Sequence, residues 1–229
     1  METKKGKLYI VSTPIGNLED ITLRAIRTLK EAGIVAAEDT RHTKHLLNHY
    51  QISTTLTSYH DFNKEEKAEI LIARMKEGTD VALVSDAGTP GISDPGFFLI
   101  KRSIEEGINI VPIPGPTASI AALSISGLPT DAFVFEGFLP KKKGQKTKKI
   151  EALKDDRRTL ILFESPHRIV KTLDELESIL GDRRAALVRE VTKVYEEIIR
   201  GRLSDVKKRL ENKKIRGEIT LIIEGNRGG

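Results

Sequence analysis

Four short aliphatic runs recur through the first half of the chain: Leu8-Tyr-Ile-Val11, Ile34-Val-Ala-Ala37, Val81-Ala-Leu-Val84 and Asn109-Ile-Val-Pro-Ile113. Each ends on a stretch rich in Gly, Pro or acid, and each is too short for a buried helix, so each predicts a strand. Helix-periodic segments lie between them. Leu23, Ile26 and Leu29 share one face of a helix stopped by Gly33, and residues 40–50 predict a second. A further strand is expected near Thr55-Leu-Thr57. Strands that alternate with helices require crossover connections, so this half predicts a mostly parallel sheet covered by helices, an α/β fold.

The pattern restarts after Gly127-Leu-Pro-Thr-Asp131. Strands are expected at 133–136, 159–163, 185–189 and 219–224, with an antiparallel edge strand at 196–200. Helices are expected at 145–153, 166–180 and 203–210. The sequence therefore reads as two α/β domains, residues 1–128 and 129–229. Several residues predict helix starts. These are Asp20, Asn63 with Glu66 in a capping box, Asp94 before Pro95, Thr117, and Ser165 before Pro166.

Composition narrows the chemistry. Cysteine is absent, which excludes disulfides, cysteine nucleophiles and cysteine-based metal sites. No apolar run approaches the length of a membrane span, and residues 1–6 lack a leader's apolar core, so a cytoplasmic protein without a membrane partner is expected. Aromatics are 5% with no tryptophan, so aliphatic side chains must fill the cores. The net charge of +5 permits a nucleic-acid partner without requiring one.

Loops at strand ends are where α/β sheets bind ligands. Thr13-Pro-Ile-Gly-Asn-Leu-Glu-Asp20 lacks the spaced glycines of a dinucleotide fingerprint and the Gly-Lys-Ser/Thr of a phosphate loop. Taken alone it reads as a tight turn. Residues 85–96, SDAGTPGISDPG, carry two acids and no cation, which disfavours phosphate and suits a cation, amine or hydroxyl. Asp94 has a capping role there; Asp86 has none and reads as a ligand contact. Pro114-Gly-Pro-Thr-Ala-Ser119 allows close backbone approach. Glu38-Asp-Thr-Arg-His-Thr43 is a polar cluster suited to substrate contact or general-base work, although Asp39 also suits a cap. His60-Asp61 and Glu164-Ser-Pro-His-Arg168 are similar clusters. Residues 141–149 hold six lysines and no acid, either a solvated surface run or an arm gripping a phosphate backbone. Lys207-Lys-Arg209 and Lys213-Lys-Ile-Arg216 extend the basic surface.

Together, TPIGNLEDIT, AAEDTRHT, ALVSDAGTPGISDPG, VPIPGPTA, EGFLPKK and ESPHR resemble, in this order, the ribosomal RNA small subunit methyltransferase I family of the tetrapyrrole-methylase-like superfamily. The resemblance runs from about Leu8 to Glu224. It implies two α/β domains with a cofactor cleft between them and a homodimer. It also implies methyl transfer from S-adenosylmethionine to the ribose 2′-oxygen of a decoding-centre cytidine in 16S rRNA of the small ribosomal subunit. The implied cofactor contacts are Ile15, Asp86, Gly88, Thr89, Thr117 and Ala118, then Phe163, Glu218 and Ile219. Because the cofactor supplies the electrophile, no metal is expected. Glu38, Asp39 and His60 are the candidate bases. Arg41 and Arg168, with Lys141, Lys142 and Lys143, are the candidate RNA contacts. Relatives are expected to continue into a further helical segment where this sequence reads Gly225-Asn-Arg-Gly-Gly229. The competing readings are a tetrapyrrole methyltransferase of the same superfamily and a non-catalytic RNA-binding module.

Overall fold

The computed structural model describes residues 5–211 and 213–228. Most of the segment read as lacking a leader, residues 1–4, lies outside the described residues, as does Gly229. The chain divides into two compact units, Met1–Thr117 and Ala118–Gly229.

The first unit is built on a five-stranded sheet in the order β3-β2-β4-β1-β5, with every pairing parallel. In chain order the elements are β1 (Lys7–Val11), α1 (Leu23–Glu31), β2 (Ile34–Ala37), α2 (Thr40–His49), β3 (Thr55–Ser58), α3 (Lys64–Lys76), β4 (Val81–Val84), α4 (Gly96–Glu105) and β5 (Asn109–Ile113). Every residue of β4 is buried, as a central parallel strand covered on both faces demands. One aliphatic core joins Val11, Leu29, Val35 and Leu47; the other joins Leu8, Leu71, Leu83 and Leu99.

The second unit holds α5 (Ala118–Ser126), β6 (Phe133–Phe138), α6 (Lys143–Ala152), β7 (Thr159–Glu164), α7 (Ile169–Leu180), β8 (Arg184–Arg189), β9 (Glu197–Arg202), α8 (Leu203–Leu210) and β10 (Ile219–Ile223). Its sheet runs β6-β7-β10-β8-β9. Only β6 and β7 pair in parallel; β10 is antiparallel to both β7 and β8, and β9 is the antiparallel edge expected from its alternation. Leu160, Leu162, Leu173, Leu187, Leu221 and Ile223 centre the main core.

The structure departs from the sequence reading in several places. The units divide at Thr117/Ala118 rather than after residue 128. The reason is that Ala122 and Leu123 of α5 pack with Ile161, Ala186, Val188 and Ile222 of the second sheet. The expected capping box at Asn63 does not form; its side-chain oxygen accepts the His60 amide instead, at 2.9 Å. Asp20 closes a 3-10 turn over Leu18–Asp20, and Thr22 caps α1 by accepting the Ala25 amide. Ser165 and Pro166 sit in a turn, so α7 begins only at Ile169. Among the described residues no helix is long and apolar enough to cross a membrane.

Candidate active site

Because all strands of the first sheet are parallel, the ends of β1, β2, β4 and β5 lie along one edge. Small hydroxyl side chains join these ends. Ser12 Oγ lies 2.8 Å from Thr89 Oγ1, which lies 2.9 Å from Thr117 Oγ1. The loops after β1 and β4 are pinned by reciprocal backbone bonds between Thr13 and Gly88, at 2.9 and 3.0 Å. Gly88 has φ +83°, and a Cβ there would stand 3.4 Å from Ile15 and 3.7 Å from the Pro116 carbonyl. A side chain at this point is thus both strained and in contact with both neighbouring loops. Ile15 itself is buried.

Acids occupy the same edge. Asp86 accepts the Asp39 amide at 2.9 Å, so it does have a structural task, joining the ends of β2 and β4. Asp94 accepts the Gly91 and Gly96 amides but stands one residue before the N-cap, which is Pro95, so α4 begins at Gly96 rather than at the Pro95 expected. Asp39 caps α2 through the Arg41 amide, at 2.8 Å, and pairs with the Arg41 guanidinium. Hydrogen bonding from Arg41 holds the Asp39 carboxyl far below the usual carboxylate range. Glu38 is the opposite case. Burial pushes its carboxyl up, and Asp86, Asp94 and Asp61 push the same way, against the Asp86 amide. One strand end thus carries a strongly acidic carboxyl beside one that holds its proton more readily than an ordinary glutamate. The Nδ1 of His60 is buried without a hydrogen-bond partner among the described residues.

The second unit presents a different edge. The ends of β6, β7 and β8 and the start of β10 lie together, since β10 alone of these runs the other way. Phe163 stacks edge-on to Phe135, at 5.0 Å between ring centres, and lies 5.7 Å from Phe138. Glu164, 2% exposed, receives the Arg168 guanidinium at 2.6 Å and the Thr172 hydroxyl at 2.7 Å. Lys146 donates to Thr172 and pairs with Glu175, both at 2.7 Å. The lysine run is therefore not one surface. Lys146 is buried and Lys149 pairs with Glu136, while Lys141, Lys142, Lys143 and Lys148 are exposed with no carboxylate partner among the described residues.

Of the remaining expected contacts, Ala118 opens α5 and is half-buried. Glu218 is exposed and pairs with Lys193 at 3.0 Å. The side chain of Ile219 belongs to the main core, which leaves only its backbone to meet a ligand. Arg41 is exposed but committed to Asp39. Sequence reasoning passed over Ser12 and the anchoring role of Glu164. A carboxylate closing a buried strand of Leu, Ile and Phe was the available signal for the second.

The Tetrapyrrole (Corrin/Porphyrin) Methylases model matches residues 7–207. Curated proteins called ribosomal RNA small subunit methyltransferase I match along nearly the whole chain. That of Halalkalibacterium halodurans is 54% identical over 222 residues, 97% of this chain and 77% of the relative. That of Bacillus subtilis is 50% identical over 221 residues, 96% and 76% of the two chains. This chain belongs to the tetrapyrrole methylase family, within the ribosomal RNA small subunit methyltransferase I group. The solved uroporphyrin-III-C-methyltransferase of Thermus thermophilus aligns with a TM-score of 0.66 and 25% identity, over 95% of this chain and 94% of that one. The two mixed α/β units are those of the tetrapyrrole methylase fold.

Proposed function

We propose that this chain transfers a methyl group from S-adenosylmethionine to small-subunit ribosomal RNA, at the ribose 2′-oxygen of a decoding-centre cytidine in 16S rRNA. The observation that carries the reading is the 54% identity, along 97% of the chain, to an enzyme of that name. The first edge supports it chemically. The hydroxyls of Ser12, Thr89 and Thr117 and the bare Gly88 backbone form a cradle of small groups beside carboxylates. That donor set fits the amine, ribose hydroxyls and cationic sulfur of the cofactor and repels a free phosphate. Bound there, S-adenosylmethionine supplies an electrophilic methyl on sulfonium. Thr89, Thr117, Gly88 and the free oxygen of Asp86 would orient it, and aligning oxygen, carbon and sulfur is a large share of the rate.

A ribose hydroxyl attacks well only as its proton leaves. Glu38, with its carboxyl pushed up, is the proton acceptor we assign; Asp39, held down by Arg41, is too weak a base. On the second edge, Lys141 and the N-cap Lys142 lead into α6, which opens with Lys143 and has no acid in its first turn. Cations there oppose the helix dipole, which is sensible where a phosphate shares both the amides and the lysines. Arg168, fixed by buried Glu164, supplies a further contact. The homodimer and the cytoplasmic setting belong to the same proposal, and sedimentation equilibrium tests the first.

The deciding experiment is transfer of tritiated methyl to 30S subunits lacking the modification, followed by mapping of the labelled nucleoside. Label on a cytidine ribose is expected. Label on a base, or transfer to a tetrapyrrole but not to RNA, would overturn the proposal.

A further inference from the structure

The turn between β8 and β9 displays two apolar side chains, Val194 at 93% and Tyr195 at 74% exposed. It is held unusually firmly for so exposed a tip. Glu190 and Thr192 both adopt left-handed backbone, at φ 52° and 68°. Such conformations persist only where surroundings impose them, and they concentrate at functional sites. The surroundings here are explicit. The Glu190 carboxylate accepts the Glu218 amide at 2.9 Å and Lys193 Nζ at 3.1 Å. Lys193 also donates to Glu218, and the Thr192 amide donates to Glu196 at 2.7 Å. Gly217, at φ +87°, lets the Glu190 side chain cross it; a Cβ there would stand 2.4 Å from that chain. Val191 anchors the base of the turn in the core.

We infer that this turn is a stacking platform for an unpaired RNA base, with the Tyr195 ring as its face. The inference rests on the RNA methyltransferase reading. Charge argues for a nucleic acid. The carboxylates of Glu190, Glu196, Glu197 and Glu218 are all engaged. Beside them, Lys213, Lys214 and Arg216 are exposed with no carboxylate partner among the described residues. Arg168 and Lys141 lie in the loops after β7 and β6, strands that stand two and three places from β8 on the same sheet edge, roughly 10 and 15 Å away at ordinary strand spacing. Phe138, 58% exposed at the end of β6, is a second aromatic on that edge. Aromatic rings interleaved with cations are how proteins hold single-stranded RNA, the rings stacking bases and the cations tracking phosphates. A rigid turn displays such a ring at little entropic cost. Two apolar side chains alone are far too small for a stable contact between copies, which takes about 1,200 Å² or more.

The chain has no tryptophan, so Tyr195→Trp installs a single reporter. Oligocytidylate is expected to quench its emission, whereas polyphosphate, a polyanion without bases, is expected to leave it unchanged. Tyr195→Ala should weaken RNA binding on the order of tenfold, as loss of one stacked base does. It should raise KM for 30S subunits without changing kcat or S-adenosylmethionine affinity. Tyr195→Phe should bind as the parent does, because the ring and not the hydroxyl stacks. Equal quenching by polyphosphate, or unchanged RNA affinity in Tyr195→Ala, overturns the platform. So does a change of sedimentation state in Tyr195→Ala, which would make the turn a contact between copies. Methyl transfer by the parent chain tests the underlying reading separately, since it can succeed while the platform fails.

Discussion

The two sheet edges are built from the same kind of strand ends and carry opposite chemistry. The edge of the all-parallel sheet gathers Glu38, Asp86 and Asp94 around small hydroxyls and a bare glycine. The edge of the mixed sheet gathers Lys141, Lys142, Lys143, Arg168 and the cations near Arg216, with exposed aromatic rings among them. The contrast reaches single carboxylates. Glu38 is pushed up by burial and like charges. Glu190 is also desolvated, yet the Glu218 amide and Lys193 pull it below its ordinary value. One edge crowds carboxylates close enough to raise Glu38; the other uses its carboxylates to fix loops and leaves cations outward. Under the proposed function, a sulfonium cofactor and a polyanion would each meet a surface of suitable charge, which a single mixed surface could not offer both.

The sharpest way to break this contrast is at Glu38. Glu38→Gln should lower kcat by about 10²- to 10⁴-fold, the usual worth of a general base, with cofactor affinity retained. Single-turnover methyl transfer reads it, and a fully active Glu38→Gln would remove the acid edge from the chemistry. The parent's pH–rate profile should fall on the acid side, at a pH above the ordinary glutamate value, and the variant should lose that limb.

Lys146→Met comes next. It strands Glu175 beside a buried network and should destabilise the second unit by about 3 kcal/mol, read by urea denaturation. Replacing Lys141, Lys142 and Lys143 by glutamine should leave stability unchanged. It should lower the slope of log affinity against log salt by about 2, at roughly 0.7 per single-strand phosphate. If instead Lys146→Met mainly weakens RNA binding, the division of the lysine run is wrong.

The smallest effect concerns stability. A carboxyl raised in the folded state favours folding only when protonated, so Glu38 opposes folding at neutral pH and ceases to as pH falls through its raised value. Glu190, lowered on folding, acts in the other sense: its contribution is present above the unfolded value and is lost as pH falls through the folded one. Glu38→Gln should therefore raise the melting temperature slightly at neutral pH, and Glu190→Gln should lower it. Thermal melts at two pH values distinguish them.

Much of this was legible in the chain. Short aliphatic runs between helical periods marked the strands, because the side-chain period of a buried parallel strand is written in the residues themselves. Where local rules met tertiary competition, they failed. Asn63 has the right type for a cap, but the His60 amide claims its oxygen. The segment Gly127-Leu-Pro-Thr-Asp131 looks like a linker, yet the helix before it has its apolar partners in the second sheet. At the candidate site, local pattern marks Asp39 as a possible cap but says nothing of Glu38's environment. Only the fold, by giving Arg41 to one and burial to the other, sets them apart. The lysine run read as uniform because burial of Lys146 depends on Thr172 and Glu175, residues of a different helix.

The position of β10 has a consequence for biosynthesis. It lies between β7 and β8, although among the described strands it comes last in chain order. Until Ile219–Ile223 emerges, two largely buried, mostly apolar strands face each other across a gap, with the backbone groups on their facing edges unpaired. The first unit, complete at β5, can close while translation continues, at about 5–20 residues per second. The second cannot, so during synthesis its sheet stays open until β10 follows. Nascent chains stalled short of Ile219 should accordingly be the ones that chaperones hold and proteases remove.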